Sequence, residues 1–296
     1  MSQGNQFREA VKENELLQCL GATTAYHALL AEKSGAKALY VSGGGVAAGS
    51  LGVPDLGIST LNDVAIDVER ICSRTNLPVL VDIDTGWGGS LNIARAINTL
   101  EKAGAAAIHI EDQVQQKRCG HRPNKVLVPK AEMLDRIKSA VDARINDDFV
   151  IMARTDSLAH YGLEAAIDIM GACVEAGADM VFPEAVSELA VYKKITKSIA
   201  VPVLANITEF GKTPLLTTDE LISAGIKIAL YPLSAFRAAN QAALTVYQQI
   251  ITTGSQQGVL ETMQTREELY QHLGYHEYEQ QLDQLFSKGG NDVNSI

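Results

Sequence analysis

Eight short apolar runs, each ending in polar or glycine-rich residues and each followed by helical periodicity, recur along this chain at residues 16–22, 37–42, 78–83, 105–110, 148–153, 178–182, 201–205 and 226–231. The runs at 105–110 and 201–205 are continuously apolar rather than alternating, the pattern of strands buried on both faces. Between helix and strand the same punctuation returns: Ser34-Gly35-Ala36, Ala103-Gly104-Ala105, Ala176-Gly177-Ala178 and Ala224-Gly225-Ile226. A glycine there supplies the left-handed cap that stops a helix before the next strand. Parallel strands joined by helices follow, and eight such units in roughly 250 residues fit a closed (β/α)₈ TIM-type barrel better than an open sheet.

The repeat occupies residues 1–253, predicted to be a barrel catalytic domain, and leaves 254–296 as a C-terminal helical extension. Amphipathic helices are predicted in it at 260–272 and 278–286, and residues 288–296 are expected to lack fixed structure. The apolar faces of that extension call for burial, either on a neighbouring subunit or against the bottom of the same barrel. No apolar run reaches the roughly 18–20 residues of a membrane span, and the N-terminus has no basic-then-apolar leader, so a cytoplasmic protein is expected. A net charge of −10 with no offsetting basic stripe argues against nucleic-acid and membrane partners. That charge would repel an anionic metabolite too, so such a substrate needs a local cluster of Arg, Lys or metal ion. Cys19, Cys72, Cys119 and Cys173 are scattered without a CxxC pair, which speaks against a zinc site and against disulfides.

In parallel barrels the chemistry sits at the C-terminal strand ends and the loops after them. Here those positions hold Thr23; Tyr40 with Ser42, Gly43, Gly44 and Gly45; Asp82 and Asp84; His109 and Glu111; Arg154 and Asp156; Glu184; Asn206 and Thr208; and Tyr231, Ser234 and Arg237. Any one of them reads equally well as a cap or a loop-solvating residue. Caps, however, would favour Asp, Ser and Asn without the arginines. Asp82 and Asp84, two apart on an extended segment, offer hard oxygen ligands suited to Mg²⁺ or Mn²⁺, with Glu111 and Asp112 as acceptors for the metal's water shell. His109 reads equally as an inert barrel-interior residue.

The sharpest local feature is Lys117-Arg118-Cys119-Gly120-His121-Arg122, four potentially cationic side chains around one thiol on a long loop. Such a field favours the thiolate, and a thiol poised in this way can give or take a proton near neutrality. A long loop between barrel elements is also a candidate lid that would close over a polyanion. The alternative, a small buried hydrophobe beside a solvated basic run, fits Cys19, Cys72 and Cys173 better than Cys119.

At these residues the chain resembles the isocitrate lyase and phosphoenolpyruvate mutase superfamily over nearly its whole length, most closely its methylisocitrate-cleaving members. The resemblance is carried by Tyr40-Val-Ser-Gly-Gly-Gly, Asp82-Ile-Asp84-Thr-Gly-Trp-Gly, His109-Ile-Glu111-Asp-Gln, the Lys117–Lys125 loop, Met152-Ala-Arg154-Thr-Asp156, Phe182-Pro-Glu184-Ala and Asn206-Ile-Thr208-Glu-Phe. The thiol loop separates lyases from mutase and hydrolase relatives, and the short chain separates it from isocitrate lyases with their long insertions. It implies Mg²⁺, with Mn²⁺ as substitute, held through Asp82 and Asp84. Substrate carboxylates would meet Ser42, Gly43, Gly44, Cys119, Gly120, His121, Arg154, Glu184, Asn206, Ile207, Thr208, Arg237 and Arg266. Catalytic roles fall to Cys119, Tyr40, His109 and Glu111.

The reaction so implied is a retro-Claisen cleavage of 2-methylisocitrate to pyruvate and succinate, in propionate catabolism through the methylcitrate cycle, by a homotetramer. Trp87 departs from the family pattern and is expected to narrow the pocket beside the metal. The rival readings are isocitrate cleavage, an oxaloacetate-type reaction that needs no Cys119, and a carboxylate-binding protein without chemistry. A Schiff-base aldolase is disfavoured because no strand end carries a lysine.

Overall fold

The structure, a computed structural model, describes residues 1–289. All eight expected strands are present: β1 Leu17–Gly21, β2 Ala38–Val41, β3 Val79–Asp82, β4 Ala107–Glu111, β5 Val150–Thr155, β6 Met180–Pro183, β7 Leu204–Asn206 and β8 Ile228–Tyr231. They pair in parallel in the order β6-β5-β4-β3-β2-β1-β8-β7. The ring is nearly closed by the bridge between Val181 and Val203, supported by the Val181 N–H donating to the Pro202 carbonyl at 3.1 Å. Pro202 and Pro183 have no N–H to give, which explains why this seam is a bridge rather than a ladder and why β7 starts at Leu204, later than expected. The four helix-ending glycines, Gly35, Gly104, Gly177 and Gly225, all have positive φ, from 78° to 108°.

Side-chain alternation divides the core. Leu17, Cys19, Ala38, Tyr40, Leu80, Ala107, Met152, Phe182, Leu204 and Leu230 fill the barrel interior, while Leu39, Val41, Val81, Ile108 and Ile151 face the helical layer. The interior contains a contribution that the strand–helix pattern did not reveal: α1, Gln3–Glu13, adds Phe7 and Val11 to it. Ser2 caps this helix by accepting from the Asn5 N–H at 3.1 Å, and its hydroxyl donates to Asp148 at 2.7 Å.

Further helices follow in chain order. They are α2 Ala25–Lys33, α3 Gly43–Gly49, α4 Leu61–Cys72, α5 Ser90–Lys102, α6 Lys130–Asp142, α7 Leu158–Glu175, α8 Leu189–Ser198, α9 Thr218–Ser223 and α10 Ser234–Thr253. Among the described residues no helix is long and apolar enough to cross a membrane.

The chain divides into two compact units, Met1–Arg237 and from Ala238 onward. The division falls early in α10 rather than after it, and no side chain of α10 belongs to the buried core. In the second unit the predicted helix at 260–272 is split. A 3₁₀ turn, Gln257–Thr262, ends in extended Met263, and α11, Arg266–Leu273, starts afresh on a capping box in which Thr265 and Glu268 satisfy each other's backbone N–H. Gly274, at φ 68°, stops α11, and α12 runs Tyr275–Gly289, longer at both ends than the predicted 278–286. Lys288 and Gly289, expected to lack structure, lie in that helix; the rest of that expectation, residues 290–296, lies outside the described residues.

Candidate active site

The interior rows of the barrel continue upward into polar residues. One two-residue step beyond Leu80 is Asp82; beyond Ala107 come His109 and Glu111; beyond Met152, Arg154 and Asp156; beyond Phe182, Glu184; and beyond Leu204, Asn206. The strand pleat that packs the core therefore also aims the chemistry at the C-terminal rim.

Asp82 and Asp84 are both buried. Asp82 accepts from the Asp84 N–H at 2.9 Å and the Gly43 N–H at 3.2 Å, and lies 3.4 Å from the Tyr40 hydroxyl. Lys117 brings its ammonium within 2.7 Å of Asp84 Oδ1 and also bonds Asp55. Burial pushes the Asp82 carboxyl up, but His109, Lys117 and Arg154 outweigh it and hold Asp82 low. Burial and the neighbouring Asp82 hold Asp84 high, against the pull of Lys117. Burial lowers His109 to about 4, so this ring is neutral near pH 7. Burial, reinforced by Asp82, raises the Tyr40 phenol far above its ordinary value, which makes it a hydrogen-bond donor, not a base. Tyr40 shares a 2.9 Å hydrogen bond with His109 Nε2. Asp84 sits at φ 48° and Trp87 at φ 57°, a strained stretch of the kind that gathers at functional sites.

A divalent cation fits this pair of carboxylates. Gly43 is so close that a Cβ on it would stand 3.0 Å from Asp84 Oδ1 and 3.2 Å from Asp82 Oδ2. Glu111 is fully buried, and neither carboxylate oxygen has a well-aligned hydrogen-bond donor among the described residues, although Arg154 Nη2 lies 3.2 Å from Oε2. Among those residues no group of three His, Cys, Asp or Glu donors is placed to hold a metal. Two carboxylates with water and substrate completing the shell are what Mg²⁺ commonly accepts. Asp112, expected to serve the water shell, is instead committed to β5: its oxygens accept from the Thr155 hydroxyl and, at 2.9 Å, the Asp156 N–H.

Arg154 is ringed by acids, with Glu111 and Asp156 at 3.2 Å and Glu184 at 3.3 Å. Its guanidinium also stands over the Phe182 ring, 5.2 Å from the centroid. Burial raises the Glu111 carboxyl well above the usual range despite the neighbouring arginine.

The thiol loop is a hairpin-like excursion between β4 and α6. It is pinched at its base by the Val114 N–H donating to the Val126 carbonyl at 2.9 Å and the Val128 N–H to the Asp112 carbonyl at 2.8 Å. The Gln113 side chain grips Arg118, donating to its carbonyl at 2.9 Å and accepting from its N–H at 3.0 Å. Cys119 is half-buried and lines the central cavity. Of the four cations expected about it, Lys117, His121 and Arg122 line the same cavity, but two of them are engaged with other partners. Lys117 is turned down to Asp55 and Asp84, and His121 accepts from the Lys212 N–H at 3.0 Å while facing Glu184 at 3.3 Å.

The cavity, of about 320 Å³, brings together Tyr40, Ser42, Gly44, Asp82, Cys119, Gly120, His121, Arg154, Glu184, Asn206, Thr208 and Arg237. Asp84, His109, Glu111 and Ile207 are buried and not in its wall, and Gly43 gives its N–H to Asp82. Arg266 belongs to the second unit, as the first residue of α11. Trp87 does not narrow the cavity: it packs beside the outer core and its indole N–H donates to the Ser59 carbonyl at 3.0 Å. The positive φ values of Gly86 and Gly88, which flank it, reverse the chain there. Asp55, Glu209 and Phe210 line the cavity without having been predicted. For Glu209 the signal was present, since it sits inside the quoted Asn206–Phe210 segment; its main-chain carbonyl takes the Arg237 guanidinium at 2.6 Å. Nothing local marked Asp55.

Residues 7–251 match the family described as phosphoenolpyruvate phosphomutase. The chain belongs to that family. It is an enzyme of the lyase class, being similar over nearly its full length to curated lyases. A protein of Escherichia coli (strain K12) named 2-methylisocitrate lyase is 58% identical over 288 residues, with 97% of each chain covered. Another of that name from Vibrio cholerae is 57% identical over 294 residues, covering 97% of this chain and 96% of that one. Among solved structures, a 2,3-dimethylmalate lyase described as a PEP mutase/isocitrate lyase superfamily member superimposes with a TM-score of 0.89 at 34% identity, over 96% of both chains.

Proposed function

We propose that this enzyme is a Mg²⁺-dependent carbon–carbon lyase that cleaves 2-methylisocitrate to pyruvate and succinate. The observation that carries this reading is the near-full-length identity, above one half, to proteins named 2-methylisocitrate lyase. The chemistry of the cavity supports it. Asp82 and Asp84 would hold Mg²⁺, or Mn²⁺ in its place, and the bound cation supplies Lewis-acid stabilisation of developing negative charge. Arg154 and Arg237, with the Asn206 amide and the Thr208 hydroxyl, meet the substrate's carboxylates; an acidic protein needs such local cations for a tricarboxylate.

The bonding changes balance without an oxidant or reductant. The tertiary hydroxyl loses its proton, which over the whole turnover returns by way of solvent to the Cys119 thiolate; its oxygen becomes the pyruvate carbonyl, and the adjacent carbon–carbon bond breaks. Its electron pair passes to the carbon that becomes a methylene of succinate. Cys119, in the cavity wall, donates the proton that this carbon takes up. Tyr40 keeps its own proton and acts as a donor. The same reading makes the protein a cytoplasmic homotetramer of the methylcitrate cycle, an assembly that light scattering would check.

Mass-spectrometric identification of products from methylisocitrate and, separately, isocitrate tests the substrate, with Mg²⁺ or with a chelator. Pyruvate and succinate from methylisocitrate, abolished by chelation, are expected. Glyoxylate from isocitrate as the main product would move the assignment to the sister reaction, and no cleavage of either would remove it.

A further inference from the structure

Lys125 lies in the returning arm of the thiol loop, and its side chain is 2% exposed. A buried ammonium is costly unless it is paired, so its partners carry information. The Nζ donates to Asp156 Oδ1 at 2.5 Å and to the Gly120 carbonyl at 2.6 Å. The ion pair alone would satisfy the charge. The second bond holds the carbonyl of Gly120, the residue next to Cys119.

Gly120 is confined at its Cα as well, because a Cβ on it would stand 2.6 Å from both Arg154 Nη2 and Glu184 Cγ. Asp156 is fully buried and divides its oxygens, Oδ1 to Lys125 and Oδ2 to Arg154 Nε at 3.2 Å. The Lys125 main chain is fixed too, its carbonyl accepting from His160 Nε2 at 2.7 Å, next to the start of α7. One carboxylate just past the end of β5 thus ties the cavity's Arg154 to the segment that presents the thiol.

We propose that Lys125 is a positioning residue, which through Gly120 sets the thiol of Cys119 over the reacting carbon, in register with Arg154 by way of their shared Asp156. This rests on the reading of Cys119 as proton donor. Outer partners that orient a catalytic group commonly contribute about 10–100-fold to activity, and displacements of about 1 Å can cost as much.

The test uses the full chain carrying Lys125→Met, with Lys130→Met as control, since Lys130 pairs with Asp168 at the surface. Two readouts are taken: kcat and KM for cleavage, and the rate at which iodoacetamide alkylates Cys119, followed by peptide mass spectrometry with Cys72 as internal reference. For Lys125→Met, kcat should fall about 10–100-fold with KM within about threefold. Cys119 alkylation should rise several-fold while Cys72 does not change, and Lys130→Met should match the parent in both. Lys125→Arg, which keeps the charge but moves it, should recover part of kcat.

Unchanged kcat and unchanged Cys119 alkylation in folded Lys125→Met would overturn the proposal, as would equal acceleration at Cys72, the mark of general loosening. If Lys125→Met does not fold, Lys125→Arg carries the same alkylation comparison. If Cys119→Ser retained normal turnover, the proton-donor reading would fall, and alkylation would still report whether the tether holds the loop.

Discussion

Replacing Arg154 with Met leaves three buried acids facing one another. Glu111 and Asp156 are wholly inaccessible and Glu184 is 2% exposed, so water cannot take over from the guanidinium. In the parent, burial keeps Glu111 high, while for Asp156 burial is outweighed by Arg154 and Lys125, which hold its carboxyl low. Without Arg154, Asp156 keeps Lys125, but Glu184 keeps no full positive charge beside it, only neutral donors such as the Ala185 N–H at 2.7 Å and the Asn206 amide at 3.4 Å, with His121 at 3.3 Å. That is close to one uncompensated buried charge, which costs about 3–5 kcal/mol.

The pH dependence has a definite sign. In the variant Glu111, already held high by burial, loses the arginine that pulls it down, so its carboxyl titrates higher folded than unfolded; between the two values the folded state binds more protons and stability falls as pH rises. The deficit is therefore full at pH 8 and shrinks on acidification towards pH 5. Urea denaturation followed by circular dichroism at both pH values measures it. With a slope of about 2 kcal/mol/M, the midpoint should drop by roughly 1.5–2.5 M at pH 8. Arg154→Lys, which keeps the charge but not the fork, should lose less. A drop below about 0.5 M at pH 8, or one that is the same at pH 5, would refute the reasoning.

Three further outcomes are expected. Cys119→Ser should bind substrate nearly as the parent does while turnover falls at least about 100-fold in steady-state assays. Gly43→Ala, whose Cβ would crowd Asp84 and Asp82 at 3.0 and 3.2 Å, should raise the Mg²⁺ concentration needed for half-maximal activity and weaken Mg²⁺ binding by calorimetry. Phe7→Ala, which removes the fully buried ring that α1 places in the barrel interior, should destabilise the fold by about 3–5 kcal/mol in the same urea assay.

Much of the site was legible because it obeys the same two-residue period as the core. Once β3 was read over 78–83 and β5 over 148–153, the pleat required Asp82 and Arg154 to point to one rim. Two other expectations concerned the direction taken by a loop side chain and failed. Trp87 bonds Ser59 and lies outside the cavity wall, and Lys117 is taken up by Asp55 and Asp84. A loop has no fixed period, so sequence spacing does not determine where its side chains aim.

The sequence by itself determined the barrel, because burying parallel strands on both faces demands continuous apolar runs and ending each helix demands a residue tolerant of positive φ, as at Gly35 and Gly177. Only the tertiary structure decided that α1 contributes to the barrel interior, that Asp112 serves β5 rather than the metal's water, and that Lys125, Asp156 and Arg154 form one chain of contacts. Those partners lie 31 to 44 residues apart where the contact joins different elements. Pairing a buried charge is compulsory, but which of several distant opposite charges answers it is settled only when the strands are side by side.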